Sequence, residues 1–364
     1  MRLSRFYLLA FFLIAAISVH SCGIRDEYAA YKVMGPPVWS TDSQQIAFVA
    51  THGRDQKPFM NWEIYKVNVN ATGLTRLTDD PESDIDPAWS PDSRRIVFSS
   101  RRNFKQQEET ENCCGGLYAI NSDGSEITQI TRDIGWASNP QWSRSSNRIA
   151  FVAEGKIYLI NSDGSGLIKL VDLGDNKGES ITNESPIWST DGKRIAFKSN
   201  KLEIINANGT NRTQIPSTSQ DYAPSWSPSG KKIVFTRNID NIHDADGRTI
   251  SQVWLANTDG SGKPQKIADG DSAVWLSDGK RIAFRCPSKS QQDGSEEWFI
   301  CVMNSDGSNL TKLKPNIRFF ALSPDGKKIA FIPDSYPEVG LYVMNADGSG
   351  LLQLARKPEF PKNP

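Results

Sequence analysis

One pattern of apolar and polar positions recurs along the chain. Each copy opens on an apolar residue or Pro, passes Trp-Ser in five of the seven, crosses a polar turn and closes on Ile-Ala-Phe or Ile-Val-Phe. The copies read PVWSTDSQQIAF (37–48), PAWSPDSRRIVF (87–98), PQWSRSSNRIAF (140–151) and PIWSTDGKRIAF (186–197). They continue as PSWSPSGKKIVF (224–235), AVWLSDGKRIAF (273–284) and FALSPDGKKIAF (320–331), the last with Leu322 in the Trp position. From Trp39 to Leu322 the period averages about 47 residues. A second pattern follows each copy: a short apolar run, Asn, a Gly turn and a Leu- or Ile-ended strand. LYAINSDGSEITQIT (117–131), IYLINSDGSGLIKL (157–170), CVMNSDGSNLTKL (301–313) and LYVMNADGSGLLQL (341–354) show it.

Each repeat therefore predicts four short strands. Aromatic and β-branched residues fill them, and Pro-Asp-Gly-Lys or Ser-Asp-Gly-Ser supplies the turns between. Four-stranded units at this period are the signature of a propeller. The expected fold class is all-β: a seven-bladed β-propeller of four-stranded antiparallel blades. A Trp at one place in nearly every copy reads as packing between blades, since one buried indole removes roughly 200 Å² from water. The turn aspartates, Asp92, Asp123, Asp163, Asp259, Asp306, Asp325 and Asp347, read as turn chemistry in the same way.

The W-S-x-D-G-K-x-I-A-F motif resembles the repeat of TolB-type propellers, and the resemblance covers roughly residues 36–355. It implies a propeller in the bacterial periplasm. TolB proteins carry a separate N-terminal α/β domain and usually six blades; here seven repeats are counted and only a short segment precedes the first. The repeat is shared, and the TolB role does not follow from it.

The N-terminus adds a compartment. Arg2 and Arg5 precede an apolar run of 14 residues, Phe6 to Val19, the length of a signal-peptide core and too short to span a bilayer as a helix. Val19-His20-Ser21-Cys22 resembles the lipobox of bacterial lipoproteins, which implies acylation at Cys22. The expected organisation is a signal peptide over 1–21, a lipidated N-terminus and tether over 22–35, the propeller over 36–356 and a tail over 357–364.

Composition narrows the chemistry. Lys and Arg number 42, as do Asp and Glu, so no basic excess exists to hold nucleic acid. Only 3 His are present, one of them inside the signal segment, leaving His52 and His243 on loops of separate blades. No G-x-S-x-G elbow occurs, although hydrolases of the prolyl oligopeptidase type carry similar propellers beside a catalytic domain.

Connectivity says where function should lie. First-to-second and third-to-fourth turns share one face, tight and uniform. Second-to-third loops and inter-blade connections share the other, which is long and varied. Just before the innermost strands lie Asp84, Asp86, Asn139, Glu184, Asp221, Tyr222, Asp271 and Arg318, expected to ring the channel mouth as an acid-leaning set able to hold a cation, a sugar or a peptide amine. Asp240, Asp244 and Asp246 form the densest oxygen cluster, half of a calcium loop in outline, with a polar surface loop as the alternative. No other cofactor is implied. Cys286 and Cys301 are expected to bridge the second and third strands of blade six after a small register change, and Cys113-Cys114 is left open. The functional expectation is a monomeric, lipid-anchored binding scaffold taking an envelope protein, peptide or glycan. The alternative is a carbohydrate lyase or hydrolase with acids at the mouth.

Overall fold

A computed structural model describes residues 33–51, 61–102, 115–132, 134–173, 185–218, 220–243, 249–289, 296–334 and 340–356. These residues form seven four-stranded antiparallel sheets, each built from strands consecutive in sequence. The chain is a seven-bladed β-propeller, as the repeat count predicts. The innermost strands are Val33–Trp39, Asp84–Trp89, Ala137–Trp142, Ile187–Trp188, Asp221–Trp226, Asp271–Trp275 and Ile317–Leu322. No helix among the described residues is long and apolar enough to cross a membrane.

The repeat residues form the interior. The seven phenylalanines that close the first motif (Phe48, Phe98, Phe151, Phe197, Phe235, Phe284 and Phe331) are at most 1% exposed. Four of them stack on the tyrosine of the facing strand, with Phe48–Tyr65 and Phe331–Tyr342 centroids at 5.6 and 5.5 Å. The six repeat tryptophans are buried, and their indoles reach back to the preceding blade. Trp89 Nε1 donates to Val38 O at 3.1 Å, Trp188 to Gln141 O at 3.0 Å and Trp226 to Ile187 O at 3.1 Å. Trp39 Nε1 donates to Ala321 O at 3.0 Å and so joins the first blade to the seventh. The indole nitrogens of Trp142 and Trp275 are buried without a hydrogen-bond partner, so at those two seams the indole itself holds by packing.

The uniform face is held by short side-chain-to-backbone loops. In the first-to-second turns Ser90 Oγ donates to Asp92 Oδ1 at 2.6 Å, and the same oxygen takes the Arg94 amide at 3.1 Å. In the third-to-fourth turns Ser125 gives both its amide and its hydroxyl to Asp123 Oδ1, at 2.9 and 2.6 Å. Gly124 follows at φ +92°, a conformation an L side chain resists. Equivalent bonds recur at Asp163, Asp306 and Asp347. Each lowers its carboxyl pKa by stabilising the anion.

Candidate functional site at the variable mouth

The opposite face departs from this uniformity. The second and third strands of blades five and six, Lys232–His243 with Thr249–Asn257 and Arg281–Lys289 with Glu296–Asn304, extend well beyond those of blade four, Arg194–Lys198 and Leu202–Asn206. Near its start, each of several innermost strands carries a residue at positive φ: Gly35 (+71°), Asp86 (+54°), Asn139 (+52°), Ala223 (+49°) and Ser272 (+54°). A register shift accompanies it in each blade. Such bulges re-aim side chains next to sites. The left-handed conformation is tolerated by Asn and Asp and costs more for the others.

The acids expected at the mouth are present but mostly engaged. Asp84 and Asp221 are fully buried and Asp271 is 7% exposed, which an exposed acidic ring would not be. Arg102 Nη2 donates to Asp84 Oδ2 at 2.6 Å. Arg237 grips Asp221 with two bonds at 2.6 and 2.8 Å, and Arg285 grips Asp271 with two at 2.6 Å each. Every one of these guanidinium groups lies on aromatic rings. Arg102 sits over Phe98 and Tyr118, Arg237 is 4.0 Å from the Trp254 centroid, and Arg285 is 4.9 Å from that of Trp298. The physical reason is desolvation: a carboxylate removed from water at a blade seam needs a cation in bonding geometry, and Arg supplies a planar fork that also stacks. Arg285 also donates to the carbonyl of Arg318 at 3.1 Å, carrying that lock from blade six into blade seven.

The remaining expected residues divide. Asp86 takes no cation among the described residues; its Oδ2 accepts from the Asn139 amide at 3.3 Å and Ser99 Oγ at 3.4 Å, and burial raises its pKa. Asp86 and Asn139 are therefore joined across the seam of blades two and three. Tyr222 is half-buried beside Ser251, and burial raises its phenol pKa. Arg318 is exposed, its guanidinium over the Phe319 ring at 5.2 Å. Glu184, Asp244, Asp246, Cys22, Cys113, Cys114 and His52 lie outside the described residues, and Asp240 is described only as part of its strand. Among the described residues no group of three or more His, Cys, Asp or Glu gathers as metal ligands. Cys286 and Cys301 are diagonal neighbours, Cα atoms 5.9 Å apart, with sulfurs in bonding contact. They meet without any register change, because Phe284 pairs with Cys301 and Cys286 with Phe299.

Two groups escaped the sequence reading. The three arginines had a usable signal: each follows the Phe of its second strand by one to four residues and faces an Asp of the first strand. The second is Glu63, fully buried at the seam of blades one and two. Burial is the main force pushing its pKa up to about 7, with the Asp84 charge adding and the Thr78 and Arg76 bonds opposing. Sealed from solvent, it is placed to hold structure rather than to reach a substrate.

Seven blades with these turns and indole links define a β-propeller of repeated four-stranded units. Residues 108–271 match the family model of the TolB beta propeller domain. The chain is 28% identical over 171 residues to an uncharacterized protein of Agrobacterium fabrum, covering 44% of this chain and 52% of that one. It is 33% identical over 82 residues to the Tol-Pal system protein TolB of Geobacter sulfurreducens, covering 22% and 17%. The chain thus spans about half or less of these relatives. The crystal structure of oligogalacturonate lyase from Vibrio parahaemolyticus superposes with a TM-score of 0.60, at 12% identity, over 86% of this chain and 90% of that one. At that identity the likeness is one of fold.

Proposed function

We propose that this protein is a binding scaffold of the bacterial envelope that takes a protein, peptide or glycan on its variable mouth, with a protein or peptide favoured. The observation that carries this reading is the engagement of the mouth acids. Asp84, Asp221 and Asp271 are each closed by an arginine, so their charge stiffens the ring instead of meeting a substrate. What remains for recognition is a rigid rim bearing Asp86, Asn139, Tyr222 and Arg318 under two long hairpins. The similarity to a Tol-Pal system protein supports a protein partner. The signal-like start and Cys22 support export and a lipid anchor, and monomeric assembly is part of the same reading.

The test is crosslinking in intact envelopes followed by pull-down, comparing wild type with Asp86→Ala and Arg318→Ala. Neither side chain belongs to an arginine lock. Arg318→Ala should keep the wild-type Tm, and Asp86→Ala, which gives up the Asn139 amide and Ser99 bonds, should cost only about 1 kcal/mol of stability. Capture of the partner should fall at least about tenfold in each, or 1.4 kcal/mol. Undiminished capture overturns the mouth as the site. Turnover of an envelope polysaccharide that Asp86→Ala abolishes would establish the lyase or hydrolase alternative. In the same cells Cys22→Ser should move the protein from the membrane to the soluble fraction; retention on the membrane removes the anchor from the proposal.

A further inference from the structure

The seam between blades one and two holds two buried acids that share one hydroxyl. Glu63, on the third strand of blade one (Trp62–Asn68), and Asp84, at the start of blade two, are both fully buried. Glu63 Oε1 accepts from Arg76 Nη2 and from Asn61 Nδ2, each at 3.0 Å. Asp84 Oδ2 accepts from Arg102, and the buried Ser100 hydroxyl also faces Asp84, yet Asp84 Oδ1 is buried without a partner. Between the two acids stands the Thr78 hydroxyl, 2.6 Å from Glu63 Oε2 and also facing Asp84. It has one proton to give and already accepts the Ile64 amide at 3.0 Å. With both acids ionised, Thr78 can serve only one of them.

One added proton changes that count. If Glu63 carries it on Oε2, Glu63 donates to Thr78 Oγ, whose second lone pair is free. Thr78 then turns its own hydrogen toward Asp84 Oδ1, while the Arg76 and Asn61 bonds to Oε1 are untouched. Every group in the row is then satisfied, and two buried carboxylates with an arginine on each no longer repel at full charge.

We infer that Glu63 holds a proton in the folded protein, relayed through Thr78 to Asp84, and that its release on alkalinisation loosens the seam of blades one and two. The charged groups around it are Arg76, Asp79, Asp80, Asp84 and Arg102. Arg76 is shared with Asp79 at 2.5 Å, and Arg102 lies 4.0 Å from Asp80, so neither guanidinium is free to compensate a second buried charge fully. The raised pKa of Glu63 agrees with this arrangement. Its sign is that of a group raised on folding: the stabilisation is complete in acid and is lost as pH rises from about 4.5 to above about 7. The inference is independent of the ligand at the mouth. It gives the acidic connection from Asp79 to Asp86 a pH-dependent footing.

The experiment reads the proton directly. In wild-type protein with labelled glutamate side chains, one carboxyl carbon should titrate with a midpoint near about 7, and that resonance should be missing in Glu63→Gln. Because Gln keeps a donor toward Thr78 and an acceptor toward Arg76, the variant should also lose part of the Tm decrease that wild type shows between pH 5.5 and 8.5. Absence of any glutamate carbon titrating above pH 5.5 overturns the inference without requiring the variant to fold. Equal pH dependence of Tm in the two proteins overturns the loosening of the seam.

Discussion

The two faces of the ring use aspartate in opposite ways. On the uniform face Asp92, Asp123 and their equivalents are exposed, accept hydroxyl and amide hydrogens within five residues of sequence, and have lowered pKa values. At the mouth Asp84, Asp221 and Asp271 are buried and answer to arginines 14 to 18 residues away. A turn aspartate organises its own loop and can be repeated in every blade. A mouth aspartate organises the meeting of strands, and it occurs only where an arginine and an aromatic ring are available to cover it. The two faces should also fail at opposite ends of the pH scale. Stabilisation from the turn acids is lost as pH falls through their lowered values, and that from Glu63 is lost as pH rises.

That contrast can be broken in order of size. Arg237→Ala leaves Asp221 buried without its cation and should cost about 3–5 kcal/mol, measured by denaturant unfolding. The double variant Arg237→Met with Asp221→Leu should recover most of that loss; failure to recover would mean that the Thr218 bonds to Asp221 or stacking on Trp254, not the ion pair, hold the lock. Next comes the pair Cys286–Cys301, 15 residues apart. Replacing both with Ser should cost about 3 kcal/mol, and intact-mass analysis with and without reductant should show a difference of two hydrogens in this pair. The smallest effect belongs to the turns. Asp92→Ala removes bonds at an exposed loop and should cost about 0.5–1 kcal/mol, with the mouth unaffected in binding assays. If a turn variant instead costs as much as Arg237→Ala, the two faces are energetically alike and the division fails.

The fold was legible because its cause is periodic. Trp-Ser, the polar turn and the Ile-Ala-Phe triplet recur at fixed spacing, and each residue's role depends on neighbours a few positions away. The mouth was legible only as a location. That Asp84 and Asp221 precede the innermost strands follows from chain order; that they are buried under Arg102 and Arg237 depends on cross-strand register at blade seams. Asp221 pairs directly with Arg237. Asp84 pairs with Ser100 and takes its arginine two positions on. Asp271 shows the same point, since blade six is one residue shorter between its Asp and its Trp yet still pairs Asp271 with Arg285. Glu63 had no signal, because its protonation depends on a donor count across three segments of chain.

Each blade takes all four of its strands from one continuous stretch of sequence, and the seventh meets the first through side chains: the Trp39 indole on Ala321 and the Ser43 hydroxyl, which takes the Asp325 amide at 3.2 Å. The outer strand Leu352–Arg356 ends on the same face where Val33–Trp39 begins, as at every other junction between blades. The ring therefore has no obligatory starting point. A circularly permuted chain, opened between any two blades and linked from the seventh to the first, would have the same seven sheets to assemble, and a whole repeat is the natural unit by which such a chain could be shuffled.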